Sequence, residues 1–216
     1  MSGPLRVAVR VHAYPPGHNA GAEWMLHEML RALVGRGHEV SVWLSRWSRR
    51  QDAYSLDGVQ VTPNASEAVF SRAARRSDVL VSHLENVPRT AALARGFGKP
   101  LAVVCHNTFD PTWQPFVSGS TALVVVNSLW MLDEAEKAFA GKRHQPGRVL
   151  VVRPPVHLSD YATKPGDCIT LVNCSPGKGA AVFRALAERM PDRKFLAVRG
   201  GYGEQQPPEL PNVIVL

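Results

Sequence analysis

Three pairs of polar side chains stand directly after short apolar runs that predict β-strands. The pairs are His83 with Glu85, His106 with Asn107, and Asn127 with Ser128. In a doubly wound sheet, residues just beyond the carboxyl ends of the strands line the ligand crevice. The plainer interpretations are a surface-loop histidine at His106 and a simple helix N-cap at Ser128. Three such pairs together favour a binding or catalytic cleft.

A loop from Gly17 to Gly21 separates the first predicted strand from the first predicted helix, with Glu23 at the helix start. Glycine lets a ligand approach the backbone, and a helix N-terminus offers free N–H groups that suit phosphate. The loop is not a GxGxxG motif, and no acidic residue follows at the spacing of a dinucleotide fold, which excludes NAD. The alternative is a loop that only turns the chain, with Glu23 as a favourable charge at the positive helix end.

A second loop, Ser175 to Gly179, places Lys178 and Gly179 before another predicted helix. Lysine at that position is a point charge suited to a diphosphate. The first glycine of a P-loop and the Ser/Thr after the lysine are missing, so this is not a P-loop. The alternative is a solvated lysine in a turn.

Other chemistries find no support in the sequence. There is no Ser–His–Asp set or nucleophile elbow, and the histidines lack metal-ligand spacing, so no metal is expected. Three cysteines without CxxC spacing predict reduced thiols in the cytosol. The N-terminus lacks the order of a signal peptide, and no apolar run approaches the ~20 residues of a membrane span.

Strands and helices alternate along most of the chain. The predicted strands are 5–11, 39–44, 78–82, 101–105, 122–126 and 148–152, and the predicted helices are 22–34, 67–76, 88–95 and 129–139. This alternation predicts an α/β fold with a Rossmann-like, doubly wound parallel sheet. Pro154 and Pro155 end the series, and a shorter one follows with strands 169–173, 194–198 and 213–216 and helix 180–190. We expect a first domain over 1–157, a linker over 158–167 and a partial second Rossmann-like domain over 168–216.

Several short motifs occur together in a specific order. They are Gly21-Ala22-Glu23, Arg36-Gly37-His38-Glu39-Val40, His106-Asn107, Asn127-Ser128, Pro154-Pro155-Val156 and Lys178-Gly179. In this order they resemble the retaining glycosyltransferases of the GT-B architecture, of the family-4 kind. The resemblance implies an acceptor-binding first domain and a nucleotide-sugar-binding second domain. It places Gly17–Gly21 near the donor diphosphate and the acceptor, His106 near the donor sugar and Lys178 on the diphosphate.

The resemblance also implies a mechanism: retention through an ion-pair-like transition state, with no protein nucleophile, cofactor or bound metal. The chain departs from the family in two ways. No arginine precedes Lys178 within 173–177, and the sequence ends before the elements that hold the ribose and sugar in the family. We therefore expect a truncated second domain, which a second chain or oligomer would complete.

The net charge of +7 and a pI near 9.7 leave further alternatives open. One is a non-catalytic binding module, and another is a sugar transferase directed at nucleic acid, a polyanion that a basic protein attracts. The expected partners are a nucleotide-sugar and an acceptor that is a glycan, lipid, small molecule or nucleic acid. The expected location is the cytoplasm, with peripheral association at a membrane left open.

Overall fold

The structure is a computed structural model that describes residues 3–46, 52–109, 113, 121–142, 145–201 and 203–216. The chain divides into two compact units, Met1–Val156 and His157–Leu216. In the described part of the chain, no helix is both long enough and apolar enough to cross a bilayer. All three cysteines are free thiols, as predicted.

The first unit is built on an eight-stranded sheet. Its strands are β1 Arg6–Val11, β2 Glu39–Leu44, β3 Tyr54–Leu56, β4 Val59–Thr62, β5 Val79–His83, β6 Leu101–Cys105, β7 Thr121–Val126 and β8 Arg148–Val151. Its helices are α1 Gly21–Val34, α2 Glu67–Arg76, α3 Val87–Phe97 and α4 Leu129–Phe139. The strand order is β3-β4-β2-β1-β5-β6-β7-β8, and every neighbouring pair is parallel except β3 with β4.

Successive residues along each strand face opposite sides of the sheet, so the apolar strands feed two cores. On one face, strand residues such as Ala8 and Val103 pack with α2, α3 and α4. On the other face, Val9 and Val42 pack with Leu26 of α1. Helices therefore cover both faces, which confirms the predicted doubly wound parallel sheet.

The second unit is smaller. It contains the one-turn helix α5 Leu158–Tyr161, strands β9 Cys168–Val172, β10 Lys194–Val198 and β11 Val213–Val215, and helix α6 Ala180–Arg189. The three strands are parallel in the order β11-β10-β9. Phe183 of α6 and Phe195 of β10 meet edge to face, with ring centroids 5.4 Å apart, at the centre of its core.

Apart from shifts of one or two residues at the ends of other elements, the structure differs from the sequence-based prediction at three places. The antiparallel hairpin of β3 and β4, which turns at Asp57 and Gly58, was not predicted. The segment predicted as an aperiodic linker contains α5. Strand β5 runs one residue further than predicted, so His83 is its last residue and does not follow it.

Candidate functional site

The carboxyl ends of β1, β5, β6 and β7 lie side by side, because these strands are consecutive neighbours in the sheet and run parallel. His12 follows β1, His83 ends β5, His106 follows β6 and Asn127 follows β7. Three histidines from three strands thus meet at the carboxyl-terminal end of the sheet, which is where ligands bind in open α/β sheets.

His83 and His106 form a hydrogen-bonded pair. Nδ1 of His83 lies 3.1 Å from Nε2 of His106, and the two rings meet edge to face. Burial lowers the pKa of His83 well below the usual value, and the charges of His106 and His12 lower it further. Burial likewise lowers the pKa of His106 to about 4. Both imidazoles are therefore neutral at physiological pH.

Burial also indicates which ring donates the proton in this hydrogen bond. Among the described residues, Nε2 of His83 is buried and has no hydrogen-bond partner. If His106 were the donor, the remaining proton of neutral His83 would sit on that isolated nitrogen. In proteins, a buried N–H group without a hydrogen-bond partner is rarer than a buried acceptor without one. We therefore assign the donor role to Nδ1 of His83, which leaves the proton of His106 on Nδ1.

His12 joins the pair to the start of α1. Its ring stacks on His83 with centroids 5.4 Å apart, and its Nε2 lies 3.3 Å from a carboxylate oxygen of Glu23. Burial lowers the pKa of His12, but the hydrogen bond to Glu23 and the charges of Glu85 and Glu23 outweigh it and raise the net pKa. Burial raises the pKa of Glu23, and the hydrogen bond from His12 reverses that shift. The two side chains are hydrogen-bonded to each other at the carboxyl-terminal end of the sheet.

Sequence reasoning singled out Glu23, His83, Glu85 and His106 but missed His12. The missed signal was the same one that identified His106, since His12 directly follows a predicted strand. Glu85 lies on the far side of His12, with its carboxylate 3.8 Å from Nδ1.

The other strand-end residues have local structural roles. Nδ2 of Asn127 donates to the His106 carbonyl at 3.5 Å, which ties the ends of β6 and β7 together. Ser128 caps α4 by accepting from the Met131 N–H at 3.1 Å, which is the plainer interpretation given above. Oδ1 of Asn107 accepts from the Phe109 N–H at 3.1 Å and shapes the turn after β6.

The loop that contains Gly17 and Gly21 leads from β1 into α1. Ala20 provides no side-chain cap for α1, and a Cβ added at Gly21 would meet no described heavy atom within 4 Å. The backbone at the start of α1 is therefore open to an approaching anion. In the second unit, Lys178 is exposed at the end of a short turn, and Gly179 adopts φ 95°, which favours glycine, at the N-cap of α6.

A partly buried hydrogen-bond network holds the loop after β1 against α1. The Tyr14 hydroxyl lies 2.8 Å from Nδ1 of His27, and Nε2 of the same ring lies 2.9 Å from the Asp57 carboxylate in the β3–β4 turn. His27 is fully buried on α1. The network therefore connects the loop after β1, helix α1 and the edge hairpin.

The first unit thus offers neutral hydrogen-bonding imidazoles, the paired side chains of His12 and Glu23, and an open helix start at the carboxyl-terminal end of its sheet. Such a set can orient and stabilise a polar ligand without a protein nucleophile. Lys178 and Gly179 belong to the second unit and offer a cation and an adaptable turn there.

Comparisons with known proteins agree with this architecture. Residues 19–160 match the family model described as Glycosyltransferase Family 4. No curated protein sequence matches the chain.

Three solved structures resemble the chain at low sequence identity. The catalytic domain of starch synthase IV from Arabidopsis thaliana, bound to ADP and acarbose, superposes with a TM-score of 0.60 at 13% identity and covers 92% of this chain and 69% of that one. UGT89C1 from Arabidopsis thaliana, complexed with UDP-L-rhamnose, has a TM-score of 0.62 at 11% identity and covers 100% and 70%. An alpha-glucosyltransferase in complex with UDP and a 13-mer DNA containing an HMU base has a TM-score of 0.61 at 11% identity and covers 92% and 58%. These likenesses confirm the GT-B fold.

Proposed function

The chain belongs to Glycosyltransferase Family 4, and from that premise we propose that it transfers a sugar from a nucleotide-sugar donor to an acceptor, with retention of the anomeric configuration. The observation that supports this best is the hydrogen-bonded pair of neutral histidines, the buried His83 and the half-buried His106, at the carboxyl ends of β5 and β6. The likeness to GT-B structures that contain ADP, UDP or UDP-L-rhamnose supports a nucleotide-sugar as the donor.

In the proposed reaction, His106 contacts the donor sugar. Its hydrogen bond to His83 directs one ring nitrogen into the protein and leaves Nδ1–H as a donor for a sugar hydroxyl. Because both rings are neutral, this hydrogen bond adds no positive charge beside a sugar that becomes cationic in the transition state. A fixed donor of this kind stabilises the transition state at little reorganisation cost.

The leaving diphosphate needs positive potential, since negative charge develops on it as the glycosidic bond breaks. In the first unit, the open start of α1 after Gly17–Gly21 offers such potential. In the second unit, the Lys178 ammonium offers it. Lys178 is exposed, so its ammonium is accessible to a ligand. Gly179 ends the turn in the left-handed conformation.

Nucleotide binding tests this assignment. We expect one of UDP, GDP or ADP to bind the chain, and Lys178→Ala to weaken that affinity by about ten-fold or more, the size of a lost charge-assisted hydrogen bond. Isothermal titration calorimetry measures the affinities, and incubation with labelled UDP-, GDP- and ADP-sugars measures hydrolysis or transfer. Lys164→Ala removes an exposed lysine from the same unit and serves as the matched control, with unchanged affinity expected.

Two results would count against the proposal. Equal affinity in the Lys178→Ala and Lys164→Ala variants would reject the role of Lys178. No nucleotide binding and no turnover with any donor would indicate the non-catalytic binding module instead.

A further inference from the structure

His12, His18 and Glu23 place three metal-ligand atoms within 4.8 Å of one another, and we propose that these three side chains bind a divalent transition-metal ion of the Zn²⁺ class. The three residues, called the His–Glu cluster below, come from three consecutive segments. His12 follows β1, His18 lies in the loop and Glu23 lies in the first turn of α1. The proposal does not depend on glycosyl transfer.

The chemistry of the donor atoms selects the metal. Two imidazoles and one carboxylate make up the ligand set that catalytic zinc sites use. Calcium and magnesium prefer oxygen ligands alone, whereas imidazole suits zinc and its neighbours in the transition series. Three protein ligands also leave a coordination position for an oxygen of solvent or substrate.

The environment of the Glu23 carboxylate favours a bound cation. Its residue is 2% exposed, and within the described residues its Oε2 is buried without a hydrogen-bond partner. A buried, ionised carboxylate with an unused oxygen is costly unless a charge compensates it. His12 already contacts the other oxygen at 3.3 Å, so the unused oxygen is the one left for a metal.

The surroundings of His12 match those of a metal ligand. Its Nε2 faces Glu23, while the Glu85 carboxylate lies 3.8 Å from Nδ1 on the opposite side of the ring, near that nitrogen but beyond hydrogen-bond distance. Metal-binding histidines commonly direct their second nitrogen toward a carboxylate, which fixes the tautomer and strengthens the ligand. The carboxylates of Glu23, within the cluster, and of Glu85, beside it, also balance the charge of a divalent ion.

Sequence spacing did not reveal this cluster and led to the expectation of no metal. Positions 12, 18 and 23 do not form the short helical or loop repeats by which zinc sites are recognised in a sequence. The fold brings them together because the chain turns back between the end of β1 and the start of α1.

Zinc binding tests the proposal directly, without a sugar donor. At about pH 7.5, where most imidazoles are neutral, we expect one Zn²⁺ per chain by calorimetry, and visible d–d absorption when Co²⁺ replaces it. His18→Asn and Glu23→Gln should each weaken the affinity by at least about ten-fold, a loss that even outer-shell changes produce. His18 is half-buried on a loop, so His18→Asn decides the matter if Glu23→Gln does not fold.

Two controls separate this site from adventitious binding. His157→Asn removes a histidine of the second unit that is not one of the three, and Cys168→Ser removes a partly accessible thiol. Both should bind zinc like the unmodified chain. The proposal is overturned if no zinc binds in stoichiometric amount, if both cluster variants bind it unchanged, or if only Cys168→Ser abolishes it. If zinc fails to bind but a nucleotide binds, only the metal site is lost.

Discussion

Burial is the largest cause of the lowered pKa of both His83 and His106. For His106 burial outweighs the opposing charge of Glu23, and for His83 the charges of His106 and His12 lower the pKa further. His12, one ring further along, keeps a raised pKa because Glu23 and Glu85 flank it. This end of the sheet therefore carries two imidazoles with lowered pKa values beside one with a raised pKa.

Replacing His106 tests its proposed contact with the donor sugar. We expect His106→Ala to lower kcat for transfer or donor hydrolysis by about 100-fold or more, the cost of one fixed hydrogen-bond donor in a transition state. Nucleotide affinity should change little, because the proposed contact is to the sugar. Steady-state kinetics and calorimetry with the free nucleotide measure the two effects separately.

The matched control is His38→Gln, which changes a histidine whose Nδ1 accepts from the Leu5 N–H in the same unit. It should leave kcat near that of the unmodified chain. A His106→Ala variant with full kcat would remove His106 from the reaction.

The sequence can single out a candidate site residue when one polar side chain directly follows a predicted strand. It identified His106 from the apolar run before it, and the resemblance supplied a role. It could not show that His106 is hydrogen-bonded to His83, nor that His12 stacks on His83, because those contacts depend on which strands are neighbours in the sheet.

Strand β1 is tied to β5 by an ion pair at the amino end of the sheet. The Asp78 carboxylate accepts from the Arg6 backbone N–H at 2.8 Å and from its guanidinium at 3.0 and 3.2 Å. The hydrogen bonds from the Arg6 side chain and backbone lower the pKa of Asp78 to about 2. This pairing helps set the register of the two strands that carry His12 and His83.

Acid should remove the contribution of Asp78 to stability. Because its folded pKa is below the unfolded value, the contribution is complete above about pH 4. It is then lost as the pH falls through about 2. We expect Asp78→Asn to lower the urea midpoint at neutral pH and to have a progressively smaller effect below pH 4. Urea unfolding followed by circular dichroism across this range measures the difference.

Asp192→Asn, at an exposed turn of the second unit, is the comparison for a carboxylate outside this pair. Its difference from the unmodified chain should not follow the same pH course. A constant effect of Asp78→Asn at all pH values would show that the ion pair does not stabilise the sheet.

Elements with strong apolar patterns were predicted closely, and weak ones were not. Strands β2, β6 and β10 have the predicted bounds, because each is a run of five or six residues between clear turn signals. The β3–β4 hairpin was missed because its strands have only three and four residues. The remaining signal was Asp57-Gly58, a dipeptide that favours hairpin turns.

At the scale of the whole molecule, each unit has an apolar core of its own. Phe195 is fully buried in the second unit, and Phe70 is 1% exposed in the first. A unit of this small size buries a modest share of its surface on folding, so its free energy of unfolding is small. The loss of one large core side chain should therefore affect the small unit most.

We expect Phe195→Ala to destabilise the second unit by about 3–5 kcal/mol, the usual cost of truncating a buried phenylalanine. Hydrogen exchange followed by mass spectrometry should show faster exchange in β9, β10 and α6, with β1, β5 and β6 unchanged. Phe70→Ala should give the reverse pattern. Faster exchange throughout the chain in both variants would show that the two units unfold as one.

The alternation of strands and helices predicted the doubly wound sheet correctly. The contacts within the His–Glu cluster and between His83 and His106 were not predicted, since they depend on where the chain returns after each strand. The turn from His12 to Glu23, which brings three ligand atoms together, followed from neither periodicity nor motif.

The hydrogen-bond network of Tyr14, His27 and the exposed Asp57 connects the outermost hairpin of the sheet to the loop after β1. Asp57 is held at φ 48° beside Gly58, so its carboxylate reaches His27 only while that turn keeps its shape. The rigidity of the loop that contains His18 thus depends on Asp57 and Gly58 in the β3–β4 turn. We expect a substitution at position 57 or 58 to lower the affinity for a ligand of the loop without unfolding the protein. Affinity would then be set in part by residues that lie far from the ligand.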